Sequence, residues 1–226
     1  MRESYHLQLA ELGEHGSAMC RLASDTLRDA SRSVLDADLS LADSVIGADA
    51  RLDEMRSNAE QAALELLALQ APVASDLRTV ISAIWVVADL QRMGALAIHV
   101  AKAARRRYPA HVVPAEIRPI VERMGLVGVH LADQAGVVLR DRNLELARSL
   151  EVEDDLMDDL QQELFSAMLA PSWRHGVEPA VDIALLARFY ERFADHAVAV
   201  ARRVVFLVTG ENVGGDTTPA LTSSER

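Results

Sequence analysis

The chain has 226 residues, 50% of them hydrophobic and only 4% aromatic, which is ample core material and points to helices rather than sheets. A formal net charge of −11 opposes attraction to phosphate backbones and anionic lipid, so nucleic acid is excluded as a default partner and a membrane is reached only through another protein. Cys20 is the single cysteine, which rules out an intramolecular disulfide and fits a reducing compartment.

Proline and glycine punctuation divides the chain into six segments with helical periodicity, at 2–36, 39–70, 74–107, 115–143, 145–170 and 178–209. The first holds Cys20 among Ala18, Met19 and Leu22, where a packed thiol is expected. It also holds Glu11-Leu12-Gly13-Glu14-His15, a faint metal-like string that Gly13 interrupts and that has no second copy. The second segment carries Asp49-x-x-x-Asp53. After Pro72 the third runs to Arg105-Arg106-Arg107, cations expected to complement the negative end of its helix dipole, with a protein-partner contact as the next reading.

Pro109 and Pro114 frame the midpoint. The fourth segment follows, then the fifth with Asp154-x-x-x-Asp158, and Pro171 and Pro179 precede the sixth, which Gly210 ends. The stretch 211–226 is rich in Gly, Ser and Thr and is expected to be disordered. No charged and apolar leader opens the sequence, and no uninterrupted apolar run approaches the ~20 residues of a membrane helix, so a cytoplasmic protein is expected.

Ala88-Asp89-Leu90-Gln91-Arg92-Met93-Gly94-Ala95-Leu96-Ala97 is matched about a hundred residues later by Arg188-Phe189-Tyr190-Glu191-Arg192-Phe193-Ala194-Asp195-His196-Ala197. Asp49 and Asp53 find counterparts in Asp154 and Asp158. The predicted fold is therefore all-α, two tandem three-helix bundles of six long helices related by duplication, with units at 1–110 and 111–210.

Residues four apart share one helix face, so Asp154/Asp158 and Glu191/Asp195 each aim two carboxylates the same way. Glu191 moreover falls in line with Ala184, Ala187, Ala194 and Val198, where a carboxylate needs a cation, a partner or a proton. A hard, oxygen-preferring metal meets that need. Solvated acidic faces are the alternative for any single pair, and recurrence in both halves leaves the two readings evenly matched. No nucleophile elbow or phosphate loop appears, and the Glu-x-x-His pair of di-iron bundle enzymes is missing at the matched acids, so catalysis has no positive signal.

Glu191-Arg192-Phe193-Ala194-Asp195-His196-Ala197, its counterpart Gln91-Arg92-Met93-Gly94-Ala95, Gln70-Ala71-Pro72-Val73 followed by Asp76-Leu77-Arg78, and Val208-Thr209-Gly210 together resemble the PhoU-like regulators of bacterial phosphate transport and phosphate signalling, over about residues 1–210. The first-half motif, Arg-Met-Gly-Ala, is similar to that of actinobacterial members. The resemblance implies a multinuclear metal cluster on each bundle, of iron or other divalent or trivalent ions. In the second bundle the ligand set it implies is complete: Asp154, Asp158, Glu191 and Asp195.

In the first bundle Asp49 and Asp53 match, but Gln91 stands for a glutamate and Ala95 for an aspartate, so a smaller or weaker site is implied. His99, one turn beyond Ala95, is a conceivable nitrogen ligand, though a packed histidine is the plainer reading; His196 adjoins Asp195 but points elsewhere around the helix. The resemblance further implies a non-enzymatic cytoplasmic regulator, a homodimer, that couples the ATPase subunit of a phosphate ABC transporter to a sensor histidine kinase and holds starvation genes off. A carboxylate-bridged metalloenzyme and a metal-free helical scaffold are the competing classes.

Overall fold

Asp36-Ala37-Asp38-Leu39 and Asp141-Arg142-Asn143-Leu144 form the same turn in the two halves, as the computed structural model shows for the residues it describes, 2–211. Helix α1 (Arg2–Asp36) stops where Ala37 turns left-handed at φ 51°, and Asp38 caps α2 by accepting from the backbone N–H of Leu41 at 2.9 Å. Helix α5 (Arg118–Asp141) stops where Arg142 takes φ 51°, and Asn143 caps α6 by accepting from the N–H groups of Glu145 at 3.0 Å and Leu146 at 3.1 Å. The duplication thus extends to its punctuation, with a residue other than glycine in the left-handed well both times. The remainder of the expected tail, from 212 onward, lies outside the described residues.

Seven helices result among the described residues, one more than expected, because the second segment breaks. It forms α2 (Leu39–Gly47) and α3 (Asp49–Gln70), with Ala48 between them at φ −79°, ψ −5° and its N–H bonded to Val45 O. Gly47 is the physical reason: glycine is a poor helix former and sits at the end of α2 with no neighbouring side chain near its Cα. Its counterpart α6 (Leu144–Leu169) has Val152 at the matching place and runs through. Between the interrupted and the continuous copies lie α4 (Ala74–Arg107) and the loop to α5, and α7 (Val177–Thr209) closes the fold. Gly210 caps α7 at φ 78°, donating its N–H to Phe206 O at 2.8 Å.

Helices α1 and α4 pair with α2 and α3 in one bundle, and α5, α6 and α7 make the other. The bundles are fused: α1 packs on α5, α4 packs on α7, and the buried residues form one continuous cluster from Leu12 to Val205. Close approach across the α1/α5 seam depends on Gly128, where an added Cβ would lie 2.7 Å from Leu27 Cδ2. Tyr190 Oη donates to Ser31 Oγ at 3.0 Å, and Ser31 in turn donates to Leu27 O at 2.7 Å, so a fully buried phenol ties α7 to α1. Burial pushes that phenol up to about 12. Helix α4 is long and apolar enough to cross a membrane by length and composition; here it is the central helix, in contact with α1, α2, α3 and α7.

The arginine run at the end of α4 does complement the helix terminus, and it also does something the sequence reading missed. Asp182 of α7, 6% exposed, accepts from Arg106 Nη2 at 2.8 Å and from Arg107 Nε, while Arg107 Nη1 reaches Glu178 at 2.7 Å. One buried carboxylate therefore takes two guanidiniums from the opposite bundle.

Candidate functional site

The acid pairs of the second half come from α6, which supplies Asp154 and Asp158, and from α7, which supplies Glu191 and Asp195. Each pair is one helical turn apart, so each helix offers two carboxylates toward the shared seam. Their mutual effect is visible in Asp154: its burial, and then the charges of Asp195, Asp158 and Glu191, push its carboxyl from 3.8 up to about 7. Glu191 is also raised, by burial and then by Asp195, against the pull of Arg188, whose Nη1 donates to both carboxylate oxygens at 2.8 and 2.7 Å. All four predicted acids thus act on one patch, short of positive charge.

A hard cation fits such a donor set, because it replaces a proton that a crowded carboxylate would otherwise hold. The set is not arranged as a closed cage: among the described residues no three His, Cys, Asp or Glu side chains stand together as ready metal ligands. Glu191 lies on Arg188, whose positive charge competes with an ion for that carboxylate.

In the first bundle the substitutions change the chemistry. Gln91 Nε2 donates to Asp53 Oδ1 at 3.4 Å, so the amide that stands for a glutamate contacts the carboxylate instead of adding charge to it. Ala95 supplies no donor atom, and Asp49 opens α3 with its side chain outside the described residues. His99 is not aimed at Asp53: its ring stacks on Phe189 of α7, with centroids 5.2 Å apart and planes 23° from parallel. His196 likewise serves the seam, its Nδ1 bonded to Asp89 Oδ1 of α4 at 3.0 Å. Neither histidine joins the acids.

Asp89 escaped the sequence reading although it lies inside the quoted repeat. Its signal was the mismatch: a carboxylate among Val86, Val87 and Leu90 where the second copy carries Phe189. Its other oxygen faces Arg203 Nε at 3.9 Å, and the Arg203 guanidinium lies 4.7 Å from the centre of the Trp85 ring. Cys20 is fully buried, and burial raises its thiol to about 12, consistent with a packed and unreactive side chain.

The sequence pattern of the PhoU domain matches residues 17–104 and again 121–204. The chain is 51% identical over 210 residues to the phosphate-specific transport system accessory protein PhoU homolog 2 of Mycobacterium tuberculosis, covering 93% of this chain and 99% of that protein. It is 50% identical over 219 residues to PhoU homolog 1 of Mycobacterium leprae, covering 97% and 99%. The crystal structure of the phosphate transport system regulatory protein PhoU from Streptococcus pneumoniae superposes with a TM-score of 0.83 at 26% identity, over 93% of this chain and 99% of that one. With both halves matched and near-complete coverage of its relatives, the chain belongs to the PhoU family of phosphate transport accessory proteins, which are regulators and not enzymes.

Proposed function

We propose that this chain is a cytoplasmic negative regulator of the phosphate-starvation response. It contacts the ATPase subunit of a phosphate ABC importer and a sensor histidine kinase through helical surfaces; each chain comprises two bundle units, residues 1–110 and 111–210, and two copies of the chain form a homodimer. The observation that carries this reading is the identity of about half of all residues to mycobacterial phosphate-transport accessory proteins across their whole length. Asp154, Asp158, Glu191 and Asp195 would hold the metal, iron or another hard ion, and its contribution is charge neutralisation that ties α6 to α7. Asp49, Asp53 and Gln91 would form the weaker site. The role is structural: the bound ion fixes the face presented to a partner.

The test is a phosphate-starvation reporter in phosphate-replete cells lacking this protein and any close paralogue, with the intact chain added back. Reporter activity should rise on deletion and return to silence on complementation. A reporter that stays silent after deletion overturns the reading.

A further inference from the structure

We propose that the groove between α4 and α7 is a binding site for a tetrahedral oxyanion of the phosphate class. Its lining is Arg92, Ala95, Leu96 and His99 from α4 with Arg192 and His196 from α7, around a cavity of about 410 Å³. Arg92 and Arg192 hold the same place in the two copies of the repeat. Helices α4 and α7 lie antiparallel, since Asp89 meets His196 while Arg106, farther along α4, meets Asp182, earlier on α7. Duplication has thereby turned one arginine into a facing pair.

A protein of net charge −11 lines this groove with two guanidiniums and two imidazoles and with no carboxylate. The acids on either side of Arg192, Glu191 and Asp195, belong to the patch shared with α6. Guanidinium forks match the oxygens of a tetrahedral oxyanion, and both arginines are exposed and able to reach one. Leu96 and Ala95 add an apolar floor on which such pairing is less screened than in open water.

Asp89 holds the ring of His196 at the groove: the carboxylate only accepts, so His196 Nδ1 donates to it. Asp89 is thus a positioning residue, acting through the ring of His196. This inference goes beyond the regulatory reading and does not rest on it, because the purified chain reports it without partner, kinase or reporter.

Equilibrium dialysis of the full-length chain against radiolabelled inorganic phosphate, with a chelator present to keep metal-bound phosphate out of the count, decides the matter. We expect one saturable site per chain, weakened about tenfold or more by Arg92→Ala and equally by Arg192→Ala, the loss of one charged hydrogen-bonding partner each. Both side chains are exposed, so both variants keep the fold. Unlabelled phosphate should displace the label and an equal concentration of chloride should not, and whichever of phosphate and phosphoserine displaces it at the lower concentration distinguishes the free ion from a phosphorylated partner. Absence of saturable binding at millimolar phosphate, or binding unchanged in both variants, overturns the site. Displacement by chloride as effective as that by unlabelled phosphate overturns the assignment to a tetrahedral oxyanion.

Discussion

Asp154 carries the strain of the acidic patch, and its titration has a definite sign. Its folded-state value near 7 lies above the ordinary 3.8, so between those values the folded protein binds a proton that the unfolded chain releases. The contribution is greatest below about pH 4 and is lost as pH rises toward 7. In chelator, the melting temperature of the wild-type protein should therefore fall across this window, and Asp154→Asn should flatten the fall and melt higher at neutral pH. Superimposable pH profiles for the two proteins would show that the four carboxylates do not burden one another. Adding a hard divalent or trivalent ion at neutral pH should restore stability to the wild type and do much less for Asp154→Asn, read by the same melting curves. The sequence disclosed the four acids through spacing alone. It did not disclose that Arg188 already holds Glu191, because a residue three positions away on a helix competes only if its rotamer turns that way.

At the scale of elements, the two left-handed turns make a prediction about glycine. Ala37→Gly should raise stability by about 0.5–1 kcal/mol in chemical denaturation, since the Cβ penalty of the left-handed conformation disappears. Removing the cap that follows the other turn, by Asn143→Ala, should cost about 1 kcal/mol. Gly94 of α4 faces Leu52 of α3, and a Cβ there would lie 2.1 Å from Leu52 Cδ1. Gly94→Ala should lower stability by about 1–3 kcal/mol, while Gly13→Ala, with nothing within 4 Å, should raise it by up to about 1 kcal/mol. Equal effects of the two substitutions would contradict the packing. The repeat in the acid motifs was legible in the sequence; the repeat in the turns was not, since Ala37 and Arg142 share a conformation but no chemistry.

At the scale of the molecule, the seam decides how the halves behave. Asp182 receives Arg106 and Arg107 across it, and Asp182→Ala leaves two cations facing a vacant pocket. Arg106 is 54% exposed and can return to water, so the expected loss is about 1–3 kcal/mol rather than the larger cost of stranding a fully buried charge. Denaturant unfolding of that variant should still show one transition, because α1, α4, α5 and α7 share a core. Two separated transitions in the wild-type protein would mean that the bundles are independent after all.

Periodicity, punctuation and the repeated acids determined the helical class, the duplication and the candidate ligands, because each depends on residues close in sequence or on a pattern that recurs. Composition also indicated that no disulfide would help hold the fold. The tertiary structure alone decided that the bundles merge, that Gly47 divides one helix, and that Asp89 and Asp182 serve the opposite half. It alone brought Arg92 and Arg192 to one groove. These outcomes depend on which face of α4 meets which face of α7, and two amphipathic helices with apolar residues around most of their circumference leave that choice open until they pack.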